Sequence, residues 1–431
     1  MKCAAFLVFT GVLAAAPLHL HETGFVAGPN GIPAGWTLWS PRAEITPRTF
    51  LDPVRYRTKP ASLAISGNAN AAEHGGWVRE VNGVEARAWY RFTAYYRAVG
   101  VPHESMQILP RVDWRIDEKH RAGRPDYVYK TDRDGEWTRV TADVQAPEHA
   151  TTALLQLYLF NAPQGTVWWD DVSFEQIPAP RPRPVTIASL NLRPEGTGSA
   201  QASVGKFIDA IERTVPAKTD VILLPEGITV IGTGKKYVDV AETVPGPTTE
   251  RLGAVAKKHS SYLVAGIYER EDRTVYNTAV LLDREGRLVG KYRKVYLPQE
   301  EVESGLTPGN DYPVFHTDFG TIGLMICYDV FFPDPARAIA RQGAEVIFMP
   351  IWGGDETLAK ARSIDNKVFL VASGYDHPTY IQDPEGERIA SAPKNGTAAV
   401  ATIDLARRYW TPLLGDMRAR RMKEQRVDIP R

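Results

Sequence analysis

Apolar and polar positions follow two different rhythms along the chain. Between about residues 20 and 176 they alternate in short runs such as "WVREV", "RAWYRFTAYYRAV", "TALLQLYLF" and "TVWWDDVSFEQ", rich in Val, Tyr, Phe and Trp. A period of two in β-branched and aromatic residues, bounded by Gly, Pro and Asn, predicts strands. No long amphipathic helix interrupts them, so an all-β sandwich is expected over residues 20–176. From Val185 the rhythm changes. "VTIASLNL", "DVILLPE", "SYLVAGIYE", "NTAVLLD", "TIGLMICYD", "AEVIFMP" and "VFLVASG" read as strands, and "SVGKFIDAIERTV", "TERLGAVAKKH", "DPARAIARQG" and "ETLAKARSIDN" as helices. Strands that are apolar throughout need cover on both faces, which predicts an α/β domain over residues 185–410. The proline-alternating "IPAPRPRP" at residues 177–184 is the expected linker, and residues 411–431 are left as a C-terminal tail.

Composition adds limits to this picture. A length of 431 residues suits two domains, and 51 basic against 51 acidic residues give no global field for nucleic acid or an anionic membrane. Lys2 precedes the apolar stretch "CAAFLVFTGVLAAA", which ends in small residues and falls short of the about 20 needed to span a bilayer. Residues 1–17 therefore read as a signal peptide and the mature protein as exported, periplasmic or extracellular, with no membrane span after the signal. An uncleaved anchor is the alternative. Cleavage would remove Cys3 and leave Cys327 as a lone thiol, unable to form an internal disulfide. No GxGxxG or GxxxxGK[ST] loop and no metal-ligand spacing of His or Cys occurs, so no cofactor and no metal are expected.

Reactive groups in open α/β sheets collect where strands end. Here "VILLPE" ends at Glu226, "LVGKYRKVYLP" carries Lys294 and "GLMICYD" carries Cys327. Singly, each has an ordinary explanation: a solvated turn, a basic surface cluster, a small buried hydrophobe. As a set they supply what acyl transfer needs. A thiol with a free pKa of about 8.5 is mostly protonated at neutral pH and requires a base, for which Glu226 is suited. Lys294, with the backbone N–H of Tyr328, can steady the oxyanion that forms on attack.

This set resembles that of the nitrilase superfamily of carbon–nitrogen hydrolases, in "ILLPEG", "GKYRKVYLP", "TPGNDYPVFHTDFGTIGLMICYDVFFPDPAR" and "GAEVIFMPIWGG", from about Val185 to Leu405. The resemblance implies a four-layer αββα sandwich and attack by Cys327 on an amide or nitrile carbon. It also implies a second glutamate beside the lysine, with Glu300, Glu301 and Glu303 as candidates and Glu301 chosen. Trp352 and Gly353 are implied as substrate contacts, and pairing through the catalytic domain as a homodimer. The N-terminal half, in "RAWYRFTAYYRAVG", "ALLQLYLF" and "GTVWWDDVSFE", resembles jelly-roll carbohydrate-binding-like modules. There Trp36, Trp39 and Trp77, if exposed, could stack on sugar, but core or edge packing is the preferred reading. The expected activity is hydrolysis of a small-molecule amide through a cysteine thioester. An acyltransferase using the same thioester, and a carbohydrate-binding protein with an inactive hydrolase half, are the alternatives.

Overall fold

The computed structural model describes residues 18–411 and 413–429, so the expected signal peptide and Cys3 lie outside the described residues. Residues up to Pro180 and from Trp410 onward form one compact unit, and Arg181–Tyr409 form a second. The first unit is antiparallel. One of its sheets runs Arg48–Asp52, Ser62–Ser66, Thr166–Ile177, Trp89–Val99, Trp137–Gln145, Lys130–Asp134, with His19–Glu22 paired to Thr166–Ile177. The other runs Trp36–Trp39, His74–Asn82, Thr152–Phe160, Ile108–Arg115, Asp126–Tyr127. Alternate residues of both, among them Phe92, Val140, Leu155, Leu157 and Trp169, meet in one buried cluster.

Two of the three tryptophans considered for sugar stacking belong to this packing. Trp36 is 4% exposed and Trp77 1%, which agrees with the packing reading and removes both as sugar platforms. Each has its indole N–H engaged, Trp36 with Glu22 and Trp77 with the carbonyl of Ala64. Trp39, 41% exposed, lies with its ring stacked on buried Tyr158. The segment read as a free tail is also structured. Trp410–Thr411 and Gly415–Asp416 form a small hairpin. Helix Met417–Glu424 follows, with Asp416 accepting from the amides of Arg418 and Ala419 as its cap. Lys423 buries its ammonium against the carbonyl of Ile108, 3.1 Å away.

The second unit holds two six-stranded sheets. The first is ordered Leu288–Arg293, Thr274–Leu282, Tyr262–Glu271, Val221–Leu223, Pro184–Asn191, Thr397–Asp404; the second Val314–His316, Thr321–Leu324, Val346–Pro350, Phe369–Ser373, Thr379–Gln382, Arg388–Ala392. In each, three central strands run parallel and the flanking pairs antiparallel. Period-two alternation sorts their side chains. Ile187, Val221, Leu223, Val264 and Leu281 of the first sheet share a cluster with Ile322, Leu324, Phe348 and Val371 of the second. The opposite positions, such as Leu190, Ile222 and Leu263, pack on Val204, Phe207 and Leu252 of helices Ala200–Thr214 and Pro247–His259. Ile347, Met349 and Leu370 pack likewise on Ala336, Ile339 and Ala359 of helices Asp334–Arg341 and Glu356–Asn366. Among the described residues no helix is long and apolar enough to cross a membrane.

Candidate active site

Three strand ends bring the reactive groups together. Strand Val221–Leu223 stops short, and the chain turns over at Gly227, whose φ of +62° is the left-handed region that favours glycine. Glu226 sits on that turn, 2% exposed. The neighbouring strand must be bare there. A Cβ on Gly266 would lie 2.6 Å from the Cα of Glu226, and the Gly266 backbone bonds Pro225 and Ile228 on either side. Lys294 follows strand Leu288–Arg293 directly, its N–H donated to the carbonyl of Asn277 at 2.9 Å. Cys327 lies beyond strand Thr321–Leu324 and opens the 3-10 turn Cys327–Phe331 with φ +42°. A non-glycine residue held there stores strain of about 1–3 kcal/mol, a cost typical of functional positions.

The charged groups form a tight, dry cluster. Lys294 is 1% exposed and its Nζ lies 3.0 Å from Glu226 Oε1 and 3.0 Å from Glu301 Oε2. Burial opposes the ammonium, but the charge of Glu226 above all, with that of Glu301, outweighs it and raises the pKa of Lys294, so it stays charged. Asn277, wholly buried, splits its Nδ2 between Glu226 Oε1 and Glu301 Oε1, 2.6 Å from each. Glu226 Oε2 receives no hydrogen bond. Burial, opposed by Lys294 and reinforced by Glu226, pushes Glu301 up to about 7. Glu300 and Glu303 are exposed, and Glu303 accepts from Gln299.

The sulfur sits opposite this cluster in a neutral state. Burial, then the charge of Glu226, pushes the Cys327 thiol up to about 12, with Lys294 and the backbone of Gly353 and Trp352 pulling partway back. Its Sγ lies 3.2 Å from the carbonyl oxygen of Gly353. The turn that carries it is clamped by Asp329, which accepts from the amides of Ile326 (2.9 Å) and Tyr296 (3.0 Å) and from the hydroxyl of Tyr292 (2.7 Å). One carboxylate thus ties the thiol's turn to the segment that carries Lys294. Trp352 packs edge-on against Tyr375, whose hydroxyl donates to the carbonyl of Glu226 at 2.9 Å. Tyr328 is half-buried and packs on Phe331 and Phe332. Asn277, Asp329 and Tyr375 had not been singled out. The first two were visible only as polar residues inside the apolar runs "NTAVLLD" and "GLMICYD". Among the described residues no group of three or more His, Cys, Asp or Glu is placed to hold a metal.

A carboxylate, an ammonium and a thiol are thus gathered at strand ends of the second unit. Residues 186–412 match the family model described as Carbon-nitrogen hydrolase, and the chain belongs to that family, within the nitrilase superfamily. It is 30% identical over 225 residues to the omega-amidase NIT2 of Xenopus tropicalis, covering 45% of this chain and 80% of the relative. The omega-amidase NIT2 of Homo sapiens is 30% identical over 212 residues, 43% and 76%. Among solved structures, Nit3 of Saccharomyces cerevisiae has a TM-score of 0.46 at 23% identity, over 51% of this chain and 90% of that one. An amidase from Nesterenkonia sp. has 0.43 at 23%, over 52% and 93%. The chain is a carbon–nitrogen hydrolase of the amidase/nitrilase type.

Proposed function

We propose that the protein hydrolyses a small non-peptide amide through a thioester on Cys327, with Glu226 as base, Lys294 as oxyanion partner and Glu301 as the lysine's second anchor. One observation carries the reading: Glu226 Oε2 is a buried carboxylate oxygen with no donor of its own, in a carboxylate near enough to raise the pKa of a thiol that burial keeps protonated. In the first half-reaction Oε2 takes the thiol proton as sulfur bonds the carbonyl carbon. The oxygen gains the negative charge, facing the Nζ of Lys294 and the N–H of Tyr328, which at the head of a 3-10 turn has no carbonyl of that turn to bond. Collapse of the adduct breaks the C–N bond, and the departing nitrogen takes the proton from Glu226. Water then adds to the thioester, gives its proton to Glu226, and the acid leaves as sulfur recovers that proton. Trp352 and Gly353 wall the acyl side. Relatives named omega-amidases support an amide over a nitrile.

The remaining features of the reading have other supports. The inter-sheet cluster, with a helix-faced cluster on each side, supports an αββα order of four layers. Two antiparallel sheets over one core support a jelly-roll module at the N-terminus, with Trp39 as its candidate sugar platform. The apolar leader supports export, and pairing through the catalytic unit follows from the family. The test of the chemistry is an ammonia- and amine-release screen over small amides, ureas and nitriles beside Cys327→Ala and Glu226→Gln. The expected result is turnover of at least one amide and a loss of a thousandfold or more, roughly, in both variants. Wild-type turnover in Cys327→Ala would sink the reading.

A further inference from the structure

We infer that Asn277 is the positioning residue of this site: by sharing one amide nitrogen between Glu226 Oε1 and Glu301 Oε1, it fixes Glu226 so that Oε2 alone is left to receive the thiol proton. The inference rests on the thioester reading above. Asn277 touches every charged member of the cluster, through its side chain to both glutamates and through its carbonyl to the backbone of Lys294. Its strand, Thr274–Leu282, sends Ala279 and Leu281 into the inter-sheet core, and Asn277 continues that face at the point where hydrocarbon gives way to the site.

Packing alone does not account for an asparagine there. Its Oδ1 is buried and accepts no hydrogen bond, a state that native interiors avoid unless something else requires the group. What is required is the nitrogen. An amide NH2 has two hydrogens, one for each carboxylate, whereas a hydroxyl has one and an apolar side chain none. Rotating the amide would set Oδ1 against two carboxylate oxygens. Lys294 and Asn277 together occupy Oε1 of Glu226, so the carboxylate is held from one oxygen and is free at the other. A base with two equally available oxygens would turn about its last torsion and lose the alignment on which proton transfer depends.

The test follows alkylation of Cys327 by iodoacetamide across pH 5 to 9 in the full-length chain, with the modified residue assigned by peptide mass so that Cys3 does not interfere. Asn277→Ala is expected to lower the alkylation rate about tenfold throughout this range, because the base loses its alignment. Asn277→Ser, which keeps one hydroxyl hydrogen, should fall between Ala and wild type. With an amide substrate in hand, the loss should appear in kcat and leave KM nearly unchanged. A profile for Asn277→Ala that superimposes on wild type overturns the inference, as does failure of both variants to show a cooperative thermal transition, which would make Asn277 purely architectural. Glu226→Gln separates the two levels. If it alkylates like wild type, the thioester reading itself fails; if it is slow while Asn277→Ala is normal, only the role of Asn277 is lost.

Discussion

At the scale of single residues, a neutral thiol dictates the division of labour. With Cys327 pushed up to about 12, a resting thiolate is rare at neutral pH, so in the proposed mechanism proton removal accompanies attack. Glu301 offers a separate, measurable consequence. Burial lifts its pKa to about 7 from a glutamate's ordinary 4.5, so the folded chain holds this proton more tightly than the unfolded one. The stability it contributes is full below pH 4.5 and is lost as pH rises through 7. Glu301→Gln should therefore flatten the fall in melting temperature between pH 5 and 7.5, a term on the order of 3 kcal/mol at most. Thermal melts at half-unit pH steps check this; an unchanged slope contradicts it. Glu226 and Cys327 were legible as candidates because each breaks an apolar run near a strand end, and Lys294, set in a basic cluster, only as part of the set with them. Asn277 was not, since one amide in a buried strand looks the same whether it bonds a neighbour's backbone or two carboxylates.

At the scale of elements, the reactive groups are placed by backbone approach. Gly266→Ala would put a methyl 2.6 Å from the Cα of Glu226, and the turn has to move. The expected outcome is a loss of turnover of about a hundredfold, with a destabilisation of about 1–3 kcal/mol, read by kcat and by urea titration. Asp329→Asn attacks the clamp on the thiol's turn. An amide cannot accept from Ile326, Tyr292 and Tyr296 as the carboxylate does, and its NH2 would face a donor. About 2–4 kcal/mol of stability should go, together with most of the activity, and chemical denaturation measures the first part. Strand and helix segments were readable from their periods. Their exact ends were not: "GLMICYD" reads as one strand, yet the ladder stops at Leu324 and the thiol stands on the turn beyond. The single helical turn Gln299–Glu303, which aims Glu301 inward and leaves Glu300 and Glu303 outside, is too short to leave a periodic signal.

At the scale of the whole molecule, composition and the proline-rich stretch already divided the chain in two, because an abrupt change from period two to alternating strands and helices cannot belong to one sheet. The last segment, left as a tail in the sequence, carries the helix Met417–Glu424, a turn pattern too short to stand out there. It belongs to the first unit, where Lys423 reaches the Ile108 carbonyl and Arg124 the Leu413 carbonyl. A chain ending at Tyr409 should lower the melting of the N-terminal unit by roughly 5–10 °C, with a loss on the order of 2–3 kcal/mol, while Cys327 keeps its alkylation profile. Calorimetry of the two chains tests this, and coincident transitions would refute it. There is a consequence for biosynthesis. Because the hydrolase segment is contiguous and the β-rich unit is split around it, the enzyme half has all its parts as soon as Tyr409 is made. The half translated first acquires its hairpin Trp410–Asp416 and helix Met417–Glu424 only after the whole hydrolase segment has been made.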